Sequence, residues 1–357
     1  MSVNDYLNHN IDSGTSVNYH LGVLRPWLDD SNVTEVCVNR PGEVWIESKS
    51  VWIEKKCSEL TLSKCKELAV AVGNFCGDEI SASKPIMSAV LPGGERLQVV
   101  FPPACERDTV SITIRKPSLK IRTMEEYSES GFFNHVSRPS AGLTTDEREL
   151  LELRDLGQYE QFFRRAVQLG KVIIVSGPTG SGKTTFMKTL VQEIRSTLRV
   201  ITIEDVPELF LPKHLNHVHL FYPSEAKEEE NAIVTSASLL RSCFRMKPDR
   251  ILLAELRGGE AFDFVNGAAS GHSGSISSVH GGSALLAFER MTSMILQNRQ
   301  GRTLSYPVIR QLLHQVVDIV VQVNNDIEFE RGRHVSEVWY EPELKYQMGT
   351  GTAEKVM

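Results

Sequence analysis

The 357-residue sequence lacks features that mark several classes of protein. Its six cysteines stand apart with no C-x-x-C pair among them, which disfavours a zinc site or a disulfide framework and favours reduced thiols. The first residues, MSVNDYLNHN, contain neither the basic nor the apolar part of a secretory signal. No apolar run approaches the roughly 20 residues of a membrane span. We therefore expect a cytoplasmic protein that meets a membrane only peripherally.

An excess of basic residues is also missing. The formal net charge is −6, which disfavours the broad positive surface of a nucleic-acid-binding protein, so we expect no stable binding to nucleic acid. Hydrophobic residues make up 41% and charged residues 24%, as in ordinary globular proteins. A chain of this length usually folds as more than one domain.

The pattern along the chain predicts two domains. Residues 1–117 contain a helix, short strands, a second helix and further strands, which indicates an α+β domain. Residues 118–144 lose this periodicity and are typical of a linker. In residues 145–357 strands and helices alternate, which predicts an α/β domain with a mostly parallel sheet. Three strands are expected at its end, in residues 317–323, 326–331 and 334–342.

The motif GPTGSGKTT follows the apolar strand KVIIVS and opens a helix. In that setting the glycines let backbone N–H groups curl around a phosphate, a lysine reaches the terminal phosphates, and a threonine hydroxyl faces Mg²⁺. The motif therefore predicts a P-loop that binds a nucleoside triphosphate. The predicted binding residues are Gly177, Pro178, Thr179, Gly180, Ser181, Gly182, Lys183, Thr184 and Thr185.

Two acidic residues follow apolar strands downstream of the P-loop. Glu204 ends the run ITIE, and Glu255 ends RILLAE, which is the Walker B pattern with glutamate in place of the commoner aspartate. Ligands of open α/β sheets bind at the carboxyl ends of the strands. Either carboxylate could polarise the attacking water while the other reaches the metal, and the residues alone leave this division open.

One histidine and two arginines complete the candidate set. His280 ends the polar strand SISSVH and is expected to sense the γ-phosphate; a structural histidine is the alternative. Arg241 and Arg245 are one helical turn apart, so we expect both on one face, either neutralising phosphate charge or pairing with surface carboxylates. The predicted catalytic residues are Lys183, Glu204, Glu255, His280, Arg241 and Arg245.

Taken in order, GPTGSGKTT, ITIEDVPEL, LLRSCFRMKPDRILLAELRGGEA and GHSGSISSVHGG resemble the Walker A, Asp, Walker B and His boxes of the secretion ATPases, in particular the VirB-type traffic ATPases of bacterial type IV secretion systems. The resemblance implies a RecA-like C-terminal domain beneath a smaller, PAS-like N-terminal domain. It also implies a homo-hexamer, with ATP and Mg²⁺ at the interdomain cleft and other type IV secretion subunits at the inner membrane as partners.

The resemblance also suggests roles for single residues. It implies that Arg96 and Arg115 approach the nucleotide, that Glu204 activates water, and that Glu255 lies near Mg²⁺ as the Walker B residue. The long linker leaves open whether domains of one chain or of two chains pair with each other. The function expected is an ATPase that powers substrate export or pilus assembly. A nucleic-acid motor on the same core and a nucleotide-gated scaffold without useful turnover are the alternatives.

Overall fold

The computed structural model describes residues 14–118, 121–137, 142–224 and 232–347. Residues 1–10, on which the expected lack of a secretory signal rests, lie outside the described residues. All six cysteines are free thiols and four of them are buried.

The N-terminal region forms an antiparallel sheet. Its helices are α1 (14–21), a 3₁₀ turn (Gly22–Leu24), α2 (Arg25–Leu28) and α3 (Leu62–Cys76), and its strands are β1 (Val33–Val38), β2 (Glu43–Ser48), β3 (Val51–Lys56), β4 (Ile86–Val90), β5 (Arg96–Val100) and β6 (Ser111–Arg115). The strand order is β3-β2-β1-β6-β5-β4. The Thr61 side chain caps α3, and Gly77 ends the helix in the left-handed conformation that glycine favours. The predicted helices and strands are confirmed, but β4 was not predicted.

Part of the predicted linker is helical. Helix α4 (Met124–Glu129) begins at a capping box in which Thr123 accepts from the Glu126 N–H and Glu126 accepts in return from the Thr123 N–H. The expectation of no regular structure throughout residues 118–144 is wrong here, although the capping-box spacing is visible in the sequence. None of the side chains of α4 is buried.

The C-terminal region is a seven-stranded sheet with helices around it. Its helices are α5 (Thr145–Asp155), α6 (Tyr159–Gln168), α7 (Lys183–Val191), α8 (Ser236–Cys243), α9 (Glu260–Ala269), α10 (Ala284–Ile295), a 3₁₀ turn (Gly301–Thr303), α11 (Tyr306–Val316) and α12 (Glu343–Gln347). Its strands are β7 (Ile173–Ser176), β8 (Val200–Glu204), β9 (His217–Phe221), β10 (Arg250–Leu253), β11 (Ile276–Val279), β12 (Ile319–Asp326) and β13 (Gly332–Trp339).

The strand order β13-β12-β7-β11-β10-β8-β9 is parallel from β12 to β9, which confirms the predicted α/β fold. Within the described part of residues 317–342 there are two strands, β12 and β13, instead of the three predicted. Most of residues 326–331 forms the turn between them, since Glu330 adopts φ 56° and the side chains of Ile327 and Phe329 are exposed. The exposed side chains of Ile327 and Phe329 therefore supply no buried surface that would favour an extended strand here. Strand β9 was not predicted.

The two sheets contact each other around a buried arginine. Arg199, which precedes β8, is 0% exposed, and its Nη1 donates to Asn39 Oδ1 at 2.7 Å and to Asn216 Oδ1 at 2.6 Å. Its guanidinium carbon lies 5.6 Å from the centre of the Trp52 ring. Nearby, Ala104 and its neighbours pack into the apolar core of the C-terminal sheet. These contacts join the N-terminal sheet to one edge of the C-terminal sheet, where β8 and β9 lie. The predicted domain boundaries stay a prediction.

Candidate active site

The P-loop connects β7 to α7. All four residues of β7 are buried, as its apolar sequence requires. A Cβ on Gly177 would lie 2.2 Å from the Val323 carbonyl oxygen, so only glycine fits there. Gly182 adopts φ 97°, in the left-handed region that glycine favours, immediately before α7 begins at Lys183. The loop therefore presents the N-terminus of α7 to a phosphate.

The side chain of Lys183 lies against this loop. Its Nζ donates to the Gly177 carbonyl at 2.8 Å and to the Pro178 carbonyl at 3.0 Å. Burial lowers the pKa of Lys183, and the charge of Glu255 acts in the opposite direction. A partly desolvated ammonium beside a helix N-terminus attracts anionic phosphate strongly.

His280 lies between the P-loop and the Walker B strand. Its Nδ1 lies 3.3 Å from Lys183 Nζ, and its Nε2 lies 2.7 Å from Glu255 Oε1. The position follows from the sheet, because β11, which ends just before His280, pairs with both β7 and β10. The structure therefore brings together three of the predicted catalytic residues, Lys183, Glu255 and His280.

Arg257 is a site residue that sequence reasoning missed. It forms ion pairs with Glu255 at 2.9 Å and with Asp205 at 2.7 Å, and so connects the ends of β10 and β8. Burial favours a lower pKa for Arg257, but the hydrogen bonds and charges of the two carboxylates raise it above its ordinary value. The only signal in the sequence is an arginine two residues after the Walker B glutamate.

A cavity of about 250 Å³ opens beside the P-loop. Its lining includes Thr184 of α7, Glu208 after β8, and Glu255 and His280. Among the described residues no cluster of three His, Cys, Asp or Glu could hold a metal ion by itself. One hydroxyl and one carboxylate fit Mg²⁺, which proteins bind through one or two carboxylates together with substrate phosphates.

Glu204 does not occupy the position expected of it. It is 0% exposed and is absent from the described lining of the cavity, while the next residue, Asp205, is part of that lining. Its Oε2 accepts from the N–H groups of Glu208 and Leu209, both at 2.8 Å. Its other oxygen, Oε1, accepts from the Thr202 hydroxyl, so both oxygens of Glu204 have partners away from the cavity. Glu208, whose side chain is 48% exposed, faces the cavity instead.

The two arginines after β9 do not meet at the P-loop. Helix α8 ends at Cys243, so Arg245 lies beyond it and does not share a helical face with Arg241. Arg241 pairs with Asp263 at 3.4 Å, whereas Arg245 lines a cavity between the two sheets. Thr185, the last predicted P-loop residue, is exposed on α7 and is not part of the described cavity lining.

Arg96 and Arg115 also lie apart from the P-loop of their own chain. They are cross-strand neighbours on β5 and β6 and line the same cavity as Arg245, with a volume of about 600 Å³. This cavity and the P-loop cavity have no lining residue in common within the described part of the chain. The resemblance left open whether the interdomain cleft forms within one chain or between two, and within one chain the two arginines and the P-loop line separate cavities.

The fold and the site together define a RecA-like P-loop ATPase. The family model for type II/IV secretion system proteins matches residues 20–326. The type IV secretion system protein VirB11 of Brucella suis is 60% identical over 345 residues, covering 97% of this chain and 96% of that protein. PtlH of Bordetella pertussis, also a type IV secretion system protein, is 44% identical over 331 residues, covering 92% and 96%.

Among solved structures, the crystal structure of the VirB11 ATPase from the Brucella suis type IV secretion system, in complex with sulphate, matches with a TM-score of 0.92. The two chains are 56% identical, and the match covers 96% of this chain and 99% of that one. The chain therefore belongs to the type II/IV secretion system protein family, within its VirB-type branch of type IV secretion ATPases. In the described residues, no helix has the length and apolar character needed to cross a membrane.

Proposed function

We propose that this ATPase works as a homo-hexameric ring in which Arg96 and Arg115 of a neighbouring subunit complete each ATP site. The observation that carries the proposal is the separation of these arginines from the P-loop cavity of their own chain. Both side chains are exposed, Arg115 to 67%, so a second copy can reach them. The hexamer itself rests on the resemblance of the four boxes.

The size of the P-loop cavity supports completion by a second copy. At about 250 Å³ it is smaller than the roughly 300–1,000 Å³ typical of ligand sites, and its described lining comes entirely from residues 179–280. It suits the phosphates of ATP and leaves the nucleoside to other surfaces. Subunits of a ring present one face to the next subunit's opposite face, as such a shared site requires.

The chemistry follows from the residues around the cavity. The N–H groups of the P-loop and Lys183 hold the phosphates, and Thr184 with Glu255 would hold Mg²⁺, which neutralises phosphate charge when bound. Glu208 is the exposed carboxylate of the cavity, and we assign to it the orientation of the attacking water. His280 reports on the γ-phosphate through its contacts with Lys183 and Glu255.

ATP binding and hydrolysis would move the first sheet of one subunit relative to the P-loop of the next. This motion would power substrate export or pilus assembly at the cytoplasmic face of the inner membrane, together with other type IV secretion subunits. The names of the relatives as type IV secretion system proteins support this setting.

Two measurements test the proposal. They are light scattering with and without ATP and Mg²⁺, and a phosphate-release assay under the same conditions. We expect a hexamer with steady turnover when both are present. A monomer under every condition would refute the shared site. A hexamer without turnover would favour the scaffold, and turnover that depends on added DNA would favour a nucleic-acid motor.

A further inference from the structure

Glu204 has four polar partners within 3.4 Å, although it is absent from the described lining of the P-loop cavity. It is 0% exposed at the end of β8. One oxygen, Oε2, accepts from the N–H groups of Glu208 and Leu209 at 2.8 Å each. The other, Oε1, lies 2.7 Å from the hydroxyl of Thr202. A buried carboxylate is stable only when its oxygens have such partners, because burial without them costs a great deal of free energy.

A histidine completes this arrangement from the next strand. Nδ1 of His219 lies 2.7 Å from the Thr202 hydroxyl and 3.4 Å from Glu204 Oε1. The threonine has a single proton, which it donates to the carboxylate, so the histidine donates its Nδ1 proton to the threonine oxygen. The ring of His219 is held in turn by contacts with His217, at 4.8 Å between ring centres, and with Phe221, at 6.4 Å.

Residues 205–209 are what this arrangement holds in place. Asp205 and Glu208 of this segment line the P-loop cavity, while Leu209 is buried in the apolar core. The side chain of Glu208 is half exposed, and its nearest described cation, Lys188, is 4.0 Å away. The point from which its side chain enters the cavity is therefore set by its backbone, whose N–H group Glu204 holds.

We propose that Glu204, Thr202 and His219 form a positioning device that fixes the segment 205–209 and thereby aims the Glu208 carboxylate into the P-loop cavity. The device determines where the acid lies, and none of its three members takes part in the chemistry. Its effect on turnover rests on the proposed role of Glu208 in orienting water. The effect of the device on the backbone of residues 205–209 is independent of that role.

Hydrogen–deuterium exchange on the full-length protein tests the backbone part. In Thr202→Val the Glu204 carboxylate loses its threonine donor, and we expect the N–H groups of Glu208 and Leu209 to exchange about tenfold faster. Thr292→Val is the matched control, because Thr292 is also buried and its hydroxyl bonds only within α10. It should leave both N–H groups at the wild-type rate. Unchanged exchange in Thr202→Val would overturn the proposal.

The kcat of three variants tests whether this device positions the Glu208 carboxylate for turnover. Glu204→Gln keeps an oxygen for the two N–H groups and gains an NH₂ group that can donate to Thr202, so kcat should stay within about threefold of wild type. Glu204→Leu removes every acceptor, and kcat should fall about 100-fold with a smaller change in KM. If Glu204→Leu does not fold, Thr202→Val takes its place, with an expected fall in kcat of about tenfold.

The comparison with Glu208→Gln separates the two proposals. A loss of kcat in Glu204→Gln as large as that in Glu208→Gln would overturn the positioning role, because it would make Glu204 itself the reacting acid. Wild-type turnover in Glu208→Gln would instead refute the proposed role of Glu208, and the exchange rates would still decide whether the device exists.

Discussion

Nε2 of His280 lies 2.7 Å from Oε1 of Glu255, and this contact ties the Walker B acid to the P-loop. The other ring nitrogen lies 3.3 Å from Lys183 Nζ. An ammonium group only donates hydrogen bonds, so Nδ1 of His280 accepts from Lys183. The Nε2–H group then donates a hydrogen bond to the Glu255 carboxylate. One imidazole thus connects the lysine of the P-loop with the acid that follows β10.

Removing this bridge should impair turnover more than binding. In His280→Ala we expect kcat to fall about 10- to 100-fold while the Kd for ATP changes little, since the P-loop N–H groups and Lys183 remain. Steady-state phosphate release and equilibrium ATP binding measure the two effects. His135→Ala, an exposed histidine of the linker region, is the control. An unchanged kcat in His280→Ala would remove the histidine from the mechanism.

Lys183→Ala should abolish measurable turnover. The ammonium is largely buried beside the P-loop, where its interaction with phosphate is strong, and its loss should lower kcat/KM by about 100-fold or more. Lys213→Ala changes an exposed lysine outside the cavity and should behave as wild type. Turnover by Lys183→Ala at more than a tenth of the wild-type rate would contradict the site described above.

Arg199→Met should destabilise the protein at the contact between the two sheets. The change removes the Arg199 donor from the side-chain oxygen of Asn39 and leaves that of Asn216 with only the Asn39 amide as donor, at a cost of about 2–4 kcal/mol in the free energy of unfolding. Urea unfolding measures this cost. The exposed Arg195, four residues earlier, provides the control Arg195→Met, which should change stability by less than about 0.5 kcal/mol. Equal stability of the two variants would show that the buried network contributes nothing.

Glu35 gives stability a distinctive dependence on pH. Burial raises its pKa from 4.5 to about 7, an effect that Glu47 reinforces and that Arg115, Lys247 and Arg199 oppose. The folded state therefore keeps a proton that the unfolded state loses, so this stabilisation is complete below pH 4.5 and is lost as the pH rises to about 7.

Glu35→Gln cannot ionise and should escape this loss. Relative to wild type, the variant should gain up to about 3 kcal/mol of unfolding free energy between pH 5 and pH 8. Urea unfolding of variant and wild type at both pH values measures the gain. The quantity to compare is the difference between their unfolding free energies at each pH. A difference that stays constant with pH, or one that shrinks as pH rises, would show that Glu35 is ionised in the folded protein throughout.

The positions of Lys183, Glu255 and His280 could be predicted because each follows the carboxyl end of a buried strand, Lys183 across the P-loop and the other two within two residues. Parallel strands end at one edge of a sheet, so the sequence places these three residues at the same edge, while the strand order that brings them into contact comes from the structure. Glu204 and Asp205 are different. Neighbouring residues at a strand end point to opposite sides, and the sequence does not tell which of them faces the cavity.

The contacts around Arg199 and the site of Arg245 could not be predicted for another reason. Asn39 and Asn216 are 177 residues apart in sequence, and their meeting depends on how the first sheet docks on the second. The spacing of Arg241 and Arg245 suggests one helical face, but α8 ends between them. Local periodicity predicts neither how two sheets dock nor the residue at which α8 ends.

Mixing two inactive variants tests the shared ATP site most directly. Lys183→Ala lacks the P-loop lysine, and the double variant Arg96→Ala, Arg115→Ala lacks the two arginines. If these groups act across two subunits, mixed rings from equal amounts contain intact sites at about a quarter of positions, and turnover should recover to about that fraction of wild type. No recovery in rings shown to be mixed would contradict the account, because it would place the lysine and both arginines at a site within one chain.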